Sequence, residues 1–256
     1  PEKNFKYKGD RKILILGDST SYGVGVAEEK TFIGLIRKKS SNLNIYNTSL
    51  SGHNINDHIK IISKFKTNLD IDKLIIFLNL NDIVVQDESA KIQNLNNNDD
   101  KKKFIDKLKG SYFLSTANFF LRSKSALYVY VKSVLTSPSE RYFKRTYNLY
   151  NSEANLLNYE KKLDEFLELA GNNLDLTVIV LPWEYQTRNN CLNKDLFLPQ
   201  DFISNYFKNK KINYVNFSKD FCNVKAKDMY LKFDPAHLSD DGHTFVESLI
   251  VRNNLF

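Results

Sequence analysis

The sequence predicts an α/β fold in three layers, a parallel sheet with helices on both faces, and three observations carry that expectation. Short apolar runs bounded by turn residues recur along the chain. Helix-period segments fall between them, and polar side chains able to do chemistry collect where the runs end. Apolar runs without alternation mark strands buried on both faces. Strands that alternate with helices need crossover connections, which make the sheet parallel.

Residues 12–17 (KILILG) are the first expected strand, 44–50 (NIYNTSL) the second, 73–80 (KLIIFLNL) the third and 176–182 (LTVIVLP) the fourth. A fifth, 212–218 (INYVNFS), is weaker because polar residues interrupt it. Apolar positions at helical spacing place helices at 32–39, 56–65, 154–170 with Gly171 as the stop, 202–209 and 242–252. In such a sheet, ligands bind outside the carboxyl ends of the strands.

The rhythm breaks at about residues 83–150, which we read as an insertion after the third strand. A polar stretch at 93–103 leads into SYFLSTANFFLRSKSALYVYVKSVL, whose Tyr112, Phe113, Phe119, Phe120, Tyr128 and Tyr130 fit an amphipathic helix packed on the main domain. A substrate groove or a membrane surface is the competing use of those rings.

A length of 256 residues with 42% hydrophobic content suffices for the core of one domain, taken as 1–256. The net charge of +7 comes from lysines spread along the chain, without a zinc finger or an aromatic RNA-binding segment, so no nucleic-acid partner is expected. No apolar run reaches membrane-spanning length, and the start PEKNFKYKGDRK lacks the apolar middle of a signal peptide. Cys191 and Cys222 match neither a metal-site spacing nor a redox pair, which leaves two free thiols or one disulfide.

Directly after the first expected strand stand Gly17, Asp18 and Ser19, followed by Gly23. A serine at a strand's carboxyl end in a glycine-containing turn is placed as a nucleophile would be, although a plain helix N-cap would look the same. The glycines fit neither phosphate-loop pattern. A serine hydroxyl needs an imidazole to take its proton, and the imidazole needs a partner that fixes its tautomer. Asp234 and His237 flank Pro235, where a turn can aim both at one point. Asp234, His237, Asp240, Asp241 and His243 together could instead hold a divalent metal, which would make a metal-dependent hydrolase. His53 and His58 are expected at the surface or as supports behind the reacting groups. Trp183 is expected to pack, with contact to a sugar ring as the alternative.

Four separated segments, in order, resemble the SGNH (GDSL-like) hydrolases. Gly17-Asp18-Ser19 matches the family's first block, Gly52 the glycine of the second, Asn81 and Asp82 the end of the Gly-x-Asn-Asp third block, and Asp234 with His237 the Asp-x-x-His of the last. Asn79 stands where the third block has glycine, and its side chain is expected to narrow the space beside the oxyanion hole. The resemblance implies a five-stranded sheet of flavodoxin-like order, a catalytic Ser19, Asp234 and His237, and an oxyanion hole from Ser19, Gly52 and Asn81. It implies an esterase that hydrolyses or transfers short acyl groups, acetyl above all, on a carbohydrate or related ester. A lipolytic esterase or a non-catalytic carbohydrate-binding scaffold on the same fold are the alternatives. No cofactor or metal is implied. An extracytoplasmic or periplasmic setting behind an upstream signal or anchor is expected, with the cytoplasm as the alternative.

Overall fold

A computed structural model describes residues 11–40, 42–68, 70–84, 124–127, 137–171, 174–188 and 191–256. Five parallel strands, β1 (Arg11–Leu16), β2 (Leu43–Asn47), β3 (Lys73–Leu78), β4 (Asp175–Val180) and β5 (Asn213–Asn216), lie in the order β2-β1-β3-β4-β5. This is the expected flavodoxin-like order, with β3 at the centre between β1 and β4. Ile15 pairs with Ile75, and Ile75 in turn with Thr177.

Alternate residues of each strand feed two cores. Leu14, Leu16, Leu74, Ile76, Val178 and Val180 pack beneath the helices α3 (Ile55–Asn68), α4 (Pro138–Tyr150), α5 (Glu153–Ala170) and α6 (Leu198–Asn209), whereas Ile13, Ile15, Ile75, Phe77 and Ile179 face α2 (Phe32–Lys39) and α7 (Asp240–Arg252). The period of two along a strand divides its side chains between the faces, and both faces are covered. Lys73 is buried in the all-buried β3, with its ammonium 3.0 Å from Asp175 at the start of β4.

All five strands end earlier than the sequence suggests, and local hydrogen bonds mark the ends of β2 and β3. β2 stops at Asn47: the Thr48 N–H makes the last ladder bond to the Ile15 carbonyl, which the Thr48 hydroxyl also reaches, and the Asn47 side chain then accepts from the Ser49 N–H. β3 stops at Leu78 because Asn79 caps a one-turn helix, Leu80–Ile83. Helix α6 begins at Leu198, ahead of the expected 202, with Pro199 in its first turn where a missing N–H costs nothing.

The expected insertion is only partly described. Tyr112, Phe113, Phe119, Phe120, Tyr128 and Tyr130 lie outside the described residues. Its last part, α4, is a core helix: Phe143 and Tyr150 are buried with Tyr159, Leu163 and Phe166 of α5, and the Tyr150 hydroxyl donates to the Leu80 carbonyl at 2.9 Å. Cys191 and Cys222 form a disulfide, with Cα atoms 5.5 Å apart. Among the described residues no helix is long and apolar enough to cross a membrane.

Candidate active site

The sheet's carboxyl edge gathers the residues picked from the sequence. After β1 the chain turns into a one-turn helix, α1 (Ser19–Tyr22), whose N-cap is Asp18. The Asp18 carboxylate accepts from the Thr20 N–H at 3.0 Å, the usual way a short side chain satisfies a helix start. The Ser19 N–H belongs to that first turn and has no acceptor within the helix. A Cβ on Gly17 would stand 2.5 Å from the Ser21 hydroxyl, so only glycine lets the turn close this tightly.

Across the edge, the segment before α7 carries the other two members. Its ends are tied down: the Leu231 N–H donates to the His237 carbonyl at 2.9 Å, Tyr230 and Leu238 form an antiparallel bridge, and the Tyr230 hydroxyl donates to the Pro182 carbonyl at 2.7 Å. Phe233 takes a φ of +65°, left-handed backbone that a bulky residue rarely adopts, and this turns the chain into Asp234. Asp234 Oδ1 accepts from the N–H groups of Ala236 (2.9 Å) and His237 (2.8 Å), which fixes the turn around Pro235.

The Nε2 of His237 lies 2.8 Å from the Ser19 hydroxyl, and its Nδ1 lies 2.8 Å from Asp234 Oδ2. Asp234 thereby assigns the proton to Nδ1 and leaves Nε2 as the acceptor facing Ser19. The hydrogen bond from the His237 ring to Asp234 raises the imidazole pKa above its ordinary value, against the desolvation that would lower it. Burial pushes the Asp234 carboxyl up, but the bonds from the His237 ring and the two backbone N–H groups outweigh it, so its pKa falls below the ordinary value. The arrangement can move a proton from a hydroxyl onto an imidazole whose positive charge a carboxylate then balances.

Asn81 and Gly52 border one cleft of about 270 Å³, whose described lining includes none of Ser19, Asp234 and His237. Gly52 has a φ of +86°, and a Cβ there would meet nothing within 4 Å, so its glycine answers to backbone conformation and not to a close approach. Asn81 is half-buried, and its side-chain Oδ1 is buried without a hydrogen-bond partner among the described residues.

Asn79 differs from its expectation. Its side chain turns into the protein: Nδ2 donates to Asp18 Oδ2 at 2.7 Å and to the Thr20 hydroxyl at 3.1 Å, while Oδ1 accepts from the Leu80 N–H at 2.7 Å and from Trp183 Nε1 at 2.6 Å. Four polar groups hold it away from the cleft beside Gly52 and Asn81, whose lining does not include it. Trp183 is buried against it and stacks on Tyr142 of α4 with ring centroids 4.8 Å apart, so packing is its role here. Burial and the neighbouring Asp82 push the Asp18 carboxyl up to about 6, although Thr20 and Asn79 donate to it.

The other histidines fall outside the trio. His58 is fully buried rather than at the surface, with Nε2 3.8 Å from the equally buried Asp82. His53 borders the cleft, and burial, then His58, lower its pKa. The five residues that could have formed a metal site do not converge. Asp240 pairs with Lys30 at 2.6 Å, the His243 ring accepts from the Phe32 N–H at 3.3 Å, and among the described residues no group of three His, Cys, Asp or Glu is placed to hold a metal. Sequence reasoning missed the cleft-facing side chains of α4, Tyr142, Arg145 and Thr146. Their spacing of three and four residues is the signal that places them on one helix face.

No protein-family profile and no curated protein matches the sequence. Solved structures do match in fold. A lipase/acylhydrolase from Enterococcus faecalis superposes with a TM-score of 0.55 at 14% identity, over 95% of this chain and 94% of that one. A catalytic mutant of an acetylxylan esterase from Geobacillus stearothermophilus gives 0.53 at 12% identity, over 95% and 94%. A lipolytic protein of the G-D-S-L family from Veillonella parvula gives 0.51 at 15% identity, over 94% and 97%. With its strand order, its covered parallel sheet and these likenesses, the chain has the fold of the SGNH (GDSL-type) hydrolases.

Proposed function

We propose that this chain is a serine ester hydrolase that removes or transfers short acyl groups, acetyl foremost, on a carbohydrate or related ester. The observation that carries the reading is the continuous chain of contacts from the Ser19 hydroxyl through both nitrogens of His237 to Asp234. In the proposed reaction His237 Nε2 takes the Ser19 proton while Oγ bonds to the ester carbonyl carbon. The resulting oxyanion accepts from the N–H groups of Ser19 and Gly52 and from the Asn81 amide, donors of the kind whose single loss costs about 10²–10³ in turnover. Collapse expels the alcohol, protonated by His237, and leaves an acyl-enzyme. Water, or an acceptor hydroxyl, gives its proton to His237, attacks the acyl carbon and frees Ser19.

Two further observations support the substrate class. A cleft of about 270 Å³ falls just below the usual size of ligand pockets, roughly 300 to 1,000 Å³, and suits a short acyl group. One of the structures sharing this fold is an acetylxylan esterase. The Cys191–Cys222 disulfide favours an oxidising, extracytoplasmic compartment for this activity.

A fluorophosphonate probe tests the nucleophile. The reading expects one covalent adduct, mapped by mass spectrometry to Ser19, absent from Ser19→Ala and unaffected by a chelator. An adduct at another serine, or none on folded protein, would remove Ser19 from the role.

A further inference from the structure

The cleft beside Gly52 and Asn81 is walled on one side by α4, which presents Tyr142, Arg145, Thr146 and Leu149 along one face. These positions recur at three- and four-residue steps, so the wall is a property of the helix and not of a loop. Helix α4 is tied at three points. Tyr150 bonds to the Leu80 carbonyl, Tyr142 stacks on Trp183, and Ser139 donates to Glu184 at 2.5 Å. The wall is therefore fixed relative to Asn81, one residue from Leu80.

The charge of the lining is one-sided. Arg145 supplies a guanidinium, and among the described residues none that lines the cleft is acidic and none forms an ion pair with Arg145. Its helix neighbour Lys144, by contrast, is already paired with Glu140 at 2.6 Å. The carboxylates of the site, Asp18, Asp82 and Asp234, do not line this cleft, and their influence is felt at Tyr142, whose phenol burial pushes up first and Asp18 next, with Arg145 opposing. An anion is thus disfavoured toward the Asp18 and Asp234 side and favoured toward Arg145. A planar guanidinium with an open fork is suited to a carboxylate or a phosphate.

We propose that this cleft binds the anionic group of an acidic ester, with Arg145 as its counter-ion, so that the substrate carries a carboxylate or similar anion a few bonds from the scissile carbonyl. The proposal rests on the ester-hydrolase reading for its location and deepens it. The anion can belong to the acyl part, as in a dicarboxylic hemiester, or to the alcohol part, as in an acetylated acidic sugar. Arg145 is then a specificity residue that touches substrate away from the reacting atoms.

Paired substrates test it. Hydrolysis of mono-p-nitrophenyl glutarate is compared with p-nitrophenyl valerate, and of an O-acetylated galacturonate with its neutral methyl ester. A preference for the acidic member of either pair is expected, and the pair that shows it identifies the side bearing the anion. In Arg145→Met that preference falls about 10-fold or more, while the neutral esters change less than about 2-fold, and Arg145→Lys restores part of it. Equal rates within both pairs, or a preference that survives Arg145→Met, overturns the proposal. Calorimetric titration of both acidic esters into Ser19→Ala separates the two readings. Saturable binding lost on adding Arg145→Met, with a wild type that cleaves no ester, would keep the anion site and sink the hydrolase; no binding of either compound would sink the anion site whatever the wild type cleaves.

Discussion

Asn79 Nδ2 donates to Asp18 Oδ2 at 2.7 Å, which joins the turn after β3 to the residue that caps the Ser19 helix. The same amide accepts from Trp183 Nε1 and the Leu80 N–H. Asn79→Gly would strand these buried donors, at a cost of about 1–3 kcal/mol for each unpaired group. It would also remove a hydrogen bond that lowers the Asp18 pKa. That pKa is already raised in the fold, so Asp18 opposes folding increasingly as pH rises from its unfolded value of 3.8 through about 6, and the variant extends the window upward. Chemical denaturation should therefore show a larger stability loss at pH 8 than at pH 5. A loss independent of pH would mean that Asn79 acts on Trp183 and Leu80 alone.

A second prediction concerns the pH profile. The bond to Asp234 raises the His237 pKa above its ordinary value of 6.5, and only neutral imidazole can accept the Ser19 proton. The acid limb of kcat/KM should lie above pH 6.5, with activity lost as pH falls through it. In Asp234→Asn the limb should move down while kcat drops by as much as about 10⁴-fold, the cost of the equivalent change in another triad. An unmoved limb in that variant would assign the titration to a different group.

His243 sets a different pH window, one of stability. It is fully buried at the start of α7, accepts from the Phe32 N–H, and burial pushes its pKa down to about 4, with Asp240 opposing. The unfolded chain binds a proton near 6.5 that the fold excludes until about 4, so this contribution is complete above 6.5 and is lost as pH falls toward 4. At most about 3–4 kcal/mol is at stake, for a shift from 6.5 to about 4 at 1.36 kcal/mol per unit of pKa. Melting temperatures between pH 7 and 4.5 should fall less steeply in His243→Phe than in the wild type. Parallel slopes would place the acid lability elsewhere.

Much of this site was legible because its residues sit where the strand pattern ends. Ser19 follows a clear apolar run, and Asp234 and His237 flank a proline; the structure brings the three within hydrogen-bond reach. Strand ends were less legible. Asn44 to Leu50 looks continuous, yet Thr48 and Ser49 turn back to Ile15 and Asn47, a choice made by side-chain hydrogen bonds and not by hydropathy. Asn79 was misread for the same reason, since its four partners come from segments as distant as Trp183. Arg145 escaped notice because helical spacing shows which residues share a face but not what that face looks onto.

The disulfide gives a further prediction. Cys191 and Cys222 are 31 residues apart in sequence, and closing a loop of that size stabilises the fold by about 3–4 kcal/mol in the chain-entropy account. Thiol titration of the oxidised, denatured protein should find no free thiol, and Cys222→Ser should lower the denaturation midpoint. Two reactive thiols in protein purified without reductant would show that the pair does not form under those conditions.

Hydrolysis of p-nitrophenyl acetate and its longer-chain homologues by the wild type and Ser19→Ala, side by side, tests the central claim most directly. The account predicts turnover by the wild type, highest on the shortest chains, and its abolition in a Ser19→Ala protein that melts like the wild type. Cleavage that persists in Ser19→Ala would contradict it.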